Sequence, residues 1–392
     1  MLIIKNARLL TMEDQPFEFG DVAVEGTLIR EVAKHIAISP EDEVFDATGL
    51  WAMPGMVDAH CHLGMWEDGV GDEGADGNES VDPITPHLRA IDGINPLDRT
   101  FAEARAHGVT AVMTGPGSAN VLGGMFVTMK TYGARVDDMI LKEPSALKAA
   151  LGENPKRVYG GEQKKTPKTR MATAGLLRQT LVEAIEYENR CRLGLDDPRL
   201  MPERSLKLEA VCRVTRREIP LKVHAHRADD IQTALRIADE FGIDVTIDHC
   251  TEGHLILDDL KKADARVVLG PLFTERAKVE MRNLTFKAPA LFEQAGIPFA
   301  IMTDHPVVPI QHLPVCAAIA VREGLSERAA FESITINAAR IADIDDRVGS
   351  LKAGKDADIV LFDDHPLDFR AHVVSVWIDG ACVHSSEQTP LR

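Results

Sequence analysis

Leu50-Trp51-Ala52-Met53-Pro54-Gly55-Met56-Val57-Asp58-Ala59-His60-Cys61-His62 is the stretch on which the reading of this chain turns. An apolar run stops at two histidines separated by one residue. In a β-strand residues i and i+2 project to the same face, so His60 and His62 can hold one ion between them while Cys61 faces away. A solitary His-x-His is a weak signal, because any strand carries polar residues on a wet face. Three further runs strengthen it: Leu221-Lys222-Val223-His224-Ala225-His226, Val245-Thr246-Ile247-Asp248-His249, and Ala300-Ile301-Met302-Thr303-Asp304-His305. Each places a histidine or aspartate at the carboxyl end of a short apolar run. One such residue alone is as well explained by a hydrogen-bonded core position. The whole ordered set is not.

Between these runs the pattern alternates. Strands are predicted over 57–62, 109–114, 220–224, 243–248, 266–269 and 298–303, and helices over 98–107, 172–190, 205–217, 229–241, 256–263 and 288–295. Alternating strands and helices predict a parallel sheet, and this many units predict a (β/α)8 TIM-type barrel over residues 53–344. A doubly wound open sheet is the alternative, but it needs a Gly-rich nucleotide loop that the chain lacks. Both ends are rich in β-branched residues and turn signals. Residues 1–52 and 345–392 are therefore assigned to one composite β-sandwich. Two stretches fit neither pattern: the acidic, Gly-rich 67–96, with the length of a lid or binding loop, and 115–124, too Gly-rich for a regular element.

Composition narrows the function. The chain has 392 residues, 45% hydrophobic and 27% charged, with a formal net charge of −17. That charge disfavours nucleic acid, whose phosphates need a basic footprint. No segment approaches the about 20 apolar residues of a membrane span, and the polar N-terminus does not read as a signal peptide. The six cysteines are scattered without a Cys-x-x-Cys pair, which fits a reducing, cytoplasmic setting. Small-molecule turnover in a soluble protein, with homo-oligomerisation left open, is the expected context.

Taken together, these residues resemble the amidohydrolase superfamily. The resemblance rests on Pro54 to His62, on the strand-end His, His and Asp sites, and on the tail motifs Thr335 to Arg340 and Val348 to Val360. It is nearest to imidazolonepropionase-like and prolidase-like members. The resemblance implies a barrel with a sandwich from both termini, a divalent metal, and hydrolysis of a C–N bond. It places His60 and His62 as first-strand ligands, His224 as the fifth-strand ligand, His249 as the sixth and Asp304 as the eighth. A further metal-facing residue is Lys148, in the position of a carboxylated lysine, with Glu153 and Lys130 as alternatives. One or two ions, Zn2+ foremost and Fe2+ or Mn2+ otherwise, fit such donors.

The expected chemistry follows. A bound metal lowers the pKa of water from about 16 towards 7, giving hydroxide at neutral pH. Asp304, as general base and then acid, would take the proton and pass it to the leaving nitrogen. His226 stands where some relatives carry a substrate-binding glutamate. It is expected, with Ser118 and Asn120, to contact substrate. Trp66, Arg227, His254 and His305 lie near the motifs, and packing, a surface ion pair or a supporting role serves them equally well. The leading reading is an amidohydrolase acting on an amide, peptide or cyclic amide; a deaminase and a catalytically silent barrel scaffold are the alternatives.

Overall fold

The structure is a computed structural model that describes residues 1–14 and 18–386, so 15–17 and 387–392, both assigned above to the terminal β-unit, lie outside the described residues. Five strands come first: β1 (Leu2–Leu9), β2 (Phe19–Glu25), β3 (Leu28–Ala33), β4 (Glu43–Asp46) and β5 (Trp51–Pro54). Eight follow: β6 (Met56–Cys61), β7 (Val109–Thr114), β8 (Leu122–Lys130), β9 (Ile140–Ala150), β10 (Leu221–Ala225), β11 (Val245–His249), β12 (Arg266–Leu269) and β13 (Phe299–Ile301). The last are β14 (Ile359–Phe362), β15 (Val373–Ile378) and β16 (Ala381–Ser385).

Strands β6 to β13 form one sheet in chain order, nearly closed into a barrel. Its edges meet just beyond β13, where Asp304 N donates to His60 O at 3.3 Å and His62 N donates to His305 O at 2.9 Å. Closure thus brings Asp304 to the two histidines of β6. Seven strands share one direction, but β8 runs antiparallel to both β7 and β9. This departs from strict (β/α)8 alternation for a simple reason. A parallel crossover needs a dozen or more residues, and the links 115–121 and 131–139 are shorter. Gly123 and Gly124, read from sequence as loop, belong to β8. A side chain on Gly124 would strike Leu88 O at 2.6 Å, so only glycine fits that strand position.

Helices at Arg99–Ala106, Arg170–Asp196, Leu206–Thr215, Ala228–Phe241, Leu257–Lys262 and Ala288–Ala295 pack outside the strands. Local sequence sets their ends. Asp98 caps the first by accepting from Thr100 N. Gly242 (φ +63°) and Gly296 (φ +69°) end two others in the left-handed region. Helix Ala228–Phe241 buries Ile231, Ala234 and Ile237, the spacing of one helical face. Inside the barrel, Val57, Ala59, Ala111, Ala146, Val268 and Ala300 surround Phe126. The Phe126 ring stacks under His60 at 5.4 Å, so the apolar floor ends where the histidines begin.

The strands of both termini form a second sheet, ordered β16-β15-β14-β5-β1-β2-β3 with β4 also on β1. It forks at β1, whose first half pairs with β4 and whose last residues pair with β5. The two arms fold together, and Phe45 of β4 meets Trp377 of β15 edge-on at 5.4 Å. The terminal segments thus form one forked second sheet, where the sequence predicts a two-sheet sandwich. Lys130, at the lower end of β8, ties this sheet to the barrel. Its ammonium lies 2.7 Å from Asp358, 2.9 Å from Asp356 and 3.1 Å from Asp379.

Candidate metal centre

The site begins with an irregularity in β6. Asp58 faces Val112 of β7 and Cys61 faces Thr114, so β6 gains one residue between them. A bulge of this kind re-aims side chains. Asp58 turns to the barrel seam, where it accepts from His60 N at 3.1 Å and from Thr303. His60 and His62 both turn inward. Their Nε2 atoms lie 3.4 and 3.2 Å from one oxygen, Asp304 Oδ1. Strand parity alone would send His249 outward, beside the inward Asp248. A left-handed backbone at His249 (φ +69°) and Cys250 (φ +50°) swings it in, and Asp304 has φ +54°. Non-glycine residues hold such angles at a cost of about 1–3 kcal/mol each, a strain that clusters at functional sites.

A second group adjoins the first. His224, His226 and His249 bring one nitrogen each within 4.8 Å of the others, as do His60, His62 and Asp304. The His249 and His60 rings are 5.7 Å apart. In three of the five rings Nδ1 is hydrogen-bonded from behind: His62 to Gly115 O at 2.7 Å, His249 to Gly270 O at 2.9 Å and His226 to Thr251 Oγ1 at 2.7 Å; His60 Nδ1 lies 3.1 Å from Asp248 Oδ2. At His62 and His249 the partner is a carbonyl, which can only accept, so Nδ1 carries the proton and the Nε2 lone pair is left inward, the arrangement metal-ligating histidines adopt.

Charge states fit the same purpose. Burial pushes the imidazoles of His60, His224, His226 and His249 below the ordinary range. Burial works against the Asp304 carboxylate, but His249, His60 and His62 hold it well below the usual range. Neutral imidazoles and an ionised carboxylate are the forms that bind a divalent cation. The buried Glu280 Oε1, 3.7 Å from His224 Nε2 and His226 Nε2, has no hydrogen-bond partner. Buried polar atoms are rarely left so, and the donor set therefore fits a divalent ion.

Lys148 joins this group. It is fully buried on β9, with Nζ 3.5 Å from His60 Nε2 and 3.5 Å from Asp248 Oδ2. Burial lowers its ammonium to about 8 against the pull of Asp248. Its two rivals are placed differently. Glu153 contributes a backbone N–H, which donates to Glu280 Oε2 at 3.0 Å. Lys130 is at the opposite end of the barrel among three aspartates, because β8 runs downward; it does not face the site. Ser118 stays near, its Oγ accepting from Asn154 Nδ2 at 2.7 Å, and that nitrogen is 3.5 Å from His224 Nε2. Asn120 does not reach the site. Its amide nitrogen pins the acidic loop through Glu79 O, Asp82 O and Thr85 Oγ1.

The neighbours divide as follows. Trp66 stands edge-on to His62 at 5.0 Å and so lines the site. Arg227 pairs with Asp229 at the surface. His254 contacts Thr251 O, and His305 accepts from Ile310 N at 3.2 Å. Cys61 and Cys250 are buried thiols pushed upward by burial. Three participants were not foreseen: Asp248 behind His60, Asn154 beside His224, and Glu280. For Asp248 a signal existed, since Lys222-x-His224 and Thr246-x-Asp248 share inward parity. Glu280 sits in an aperiodic loop and gave none.

Fold and donor set together define a class: barrels that gather nitrogen and oxygen donors for divalent cations at the carboxyl ends of their strands. The family model described as "Amidohydrolase family" matches residues 51–383. This chain belongs to the amidohydrolase family, whose members generally depend on a divalent metal. It is 32% identical over 390 residues to amidohydrolase tasK of Hapsidospora irregularis, covering 92% of this chain and 39% of that protein. Its match to an adenine deaminase of Listeria monocytogenes is 24% over 375 residues, 93% of this chain and 54% of the relative. The chain thus spans about two fifths and about half of these two relatives. A crystal structure of an amidohydrolase from Thermotoga maritima superposes with a TM-score of 0.95 at 43% identity, covering 98% of this chain and 100% of that one. Among the described residues no helix is long and apolar enough to cross a membrane.

Proposed function

We propose that this chain is a metal-dependent hydrolase of a small molecule, cleaving the C–N bond of an amide, dipeptide or cyclic amide at the barrel mouth. The observation that carries this reading is the convergence of His60 Nε2 and His62 Nε2 on Asp304 Oδ1, at 3.4 and 3.2 Å, beside a second imidazole group. His60, His62 and Asp304 would hold one ion. His224 and His249 would hold another, with Lys148 as the candidate carboxylated bridge. A divalent ion such as Zn2+ supplies an activated water and polarises the scissile carbonyl.

The protein's own groups do the rest. Asp304 is ionised and can accept the proton that the attacking water gives up. The same oxygen then delivers it to the departing nitrogen, which must leave as a neutral amine. Ser118, which accepts from Asn154, would meet a polar group of the substrate, and Trp66, edge-on to His62, would line the pocket. A deaminase is the second reading, favoured by the likeness to the Listeria enzyme. The two differ in product. Zinc-reconstituted protein is offered N-acyl amino acids, dipeptides, cyclic amides and aminopurines. Release of an amine or amino acid, lost with chelator and regained with zinc, is expected. Ammonia from aminopurines alone would establish the deaminase, and no bound metal with no turnover would leave a silent scaffold.

A further inference from the structure

We propose that Glu280 and His226 complete, with His224 and His249, a cation site closed by the chain's own side chains and independent of any modification of Lys148. The inference rests on the reading that the barrel mouth binds metal, and it assigns His226 to the ion and not to substrate. Glu280 lies in the loop between β12 and helix Ala288–Ala295, in a short turn at Val279–Met281. Its neighbour Val279 is 69% exposed, yet Glu280 itself is 2% exposed. The loop has turned a carboxylate inward and an apolar side chain outward, the reverse of what burial energetics favour.

One carboxylate oxygen explains part of this. Oε2 accepts from Glu153 N at 3.0 Å. The other, Oε1, has no hydrogen-bond partner and lies 3.7 Å from both His224 Nε2 and His226 Nε2. His226 Nδ1 is engaged by Thr251, and the Nε2 atoms of His224 and His226 both face Oε1. A cation between the two nitrogens and this buried, unpartnered oxygen would satisfy all three at once. Lys278 is the nearest alternative, but its Nζ is 3.9 Å from Oε1 and a third of its side chain is exposed. That distance is too long for a hydrogen bond.

The spacing suits a small divalent ion. Tetrahedral ligands at zinc-like bond lengths sit about 3.4 Å from one another, so shifts of a few tenths of an ångström would close the site. His226 also has the supporting contact of a ligand, Nδ1 on Thr251 Oγ1 at 2.7 Å, and its ring stacks on His249 at 4.4 Å. Three imidazoles and one carboxylate favour borderline cations such as Zn2+ or Co2+ over Mg2+ or Ca2+.

The test counts ions. Metal-free protein is titrated with Co2+ in carbonate-free buffer, which denies Lys148 its carboxyl group, and both bound cobalt and its visible absorption are recorded. Wild type is expected to take up two ions per chain, and Lys148→Ala likewise. Glu280→Gln, which can still accept from Glu153 N, should bind the second ion at least about tenfold more weakly, and His226→Asn should do the same. Glu280→Asp, keeping the charge, should recover part of the affinity. His60→Asn should lose the other ion only. Far-ultraviolet circular dichroism and melting with chelator present check that each variant folds. Two ions with an unchanged spectrum in Glu280→Gln would overturn the proposal, as would a single wild-type ion lost in His60→Asn and kept in Glu280→Gln. Failure of wild type to bind any ion would instead bring down the hydrolase reading on which it rests.

Discussion

Lys222 Nζ donates to Asp248 Oδ1 at 2.7 Å inside the barrel, where both side chains are wholly buried, and Asp248 Oδ2 faces His60 Nδ1 at 3.1 Å. Burial works against the Asp248 carboxylate, but His60, Lys222 and Lys148 hold it well below the usual range. The lysine thus steadies the carboxylate that orients a candidate ligand. Removing the lysine leaves a buried charge short of its closest partner. Lys222→Met should cost about 3–5 kcal/mol in urea unfolding. Asp248→Asn should weaken the first ion by about 10–100-fold while the protein stays folded. Unchanged metal affinity in Asp248→Asn would remove the orienting role.

Asp304→Asn separates proton transfer from architecture. The substitution keeps size and one oxygen but removes the acceptor charge. Turnover should fall by about 10²–10⁴-fold, with the circular dichroism spectrum unchanged. Wild-type rates in this variant would end the case for Asp304 as the proton carrier.

Much of this was legible because strand ends carry a chemical signature. The segments 109–114, 266–269 and 288–295 fall in the structure where periodicity put them, and all five principal donors stand at or just past strand ends. The failures have physical causes. From sequence the start of β8 falls in an irregular stretch because Gly123 and Gly124 hide its pattern, and no strand is predicted over the rest of β8 or over β9. Lys130 followed the logic of a ligand in sequence and the logic of a domain joint in space, since a reversed strand carries its end away from the mouth. Asp248 and His249 cannot both face inward on a regular strand. They do so because the backbone turns left-handed between them, which no alternation rule anticipates. Glu280 depends on the path of an irregular loop.

Gly115 supports His62 from the other side. Its carbonyl accepts from His62 Nδ1, and a Cβ there would lie 2.4 Å from the Phe126 ring. Gly115→Ala should therefore destabilise by about 1–3 kcal/mol through overpacking and should also weaken metal binding by displacing the carbonyl. Gly175, within helix Arg170–Asp196, has open space around its Cβ position. Gly175→Ala should stabilise by about 0.5–1 kcal/mol through helix propensity. Thermal melts of the two variants moving in the same direction would contradict the packing argument.

The Lys130 cluster predicts how stability follows pH. Burial opposes the Lys130 ammonium, but Asp358, Asp356 and Asp379 outweigh it and raise its pKa above the ordinary value. Burial meanwhile pushes the Asp358 carboxyl up, with Lys130 opposing. Three carboxylates share two cations, since Arg347 also pairs with Asp356 at 2.7 Å; Lys130 gains from all three aspartates, while burial dominates at Asp358. A group raised on folding adds stability that is complete below its unfolded pKa, about 10.4 for lysine. The contribution is lost as pH climbs through the folded value. Wild type should keep it across neutral pH and lose it only in strong alkali. Lys130→Met leaves the buried Asp358 without its cation, Arg347 remaining only on Asp356, at a cost of about 3–5 kcal/mol near pH 7. Acid protonates Asp358 and relieves that repulsion, so the gap between variant and wild type should narrow as pH falls. Urea unfolding of both proteins from pH 5 to pH 8 measures the gap. A gap that is absent at pH 7, or that widens towards pH 5, would refute the role of Lys130 as the charge that joins the two sheets.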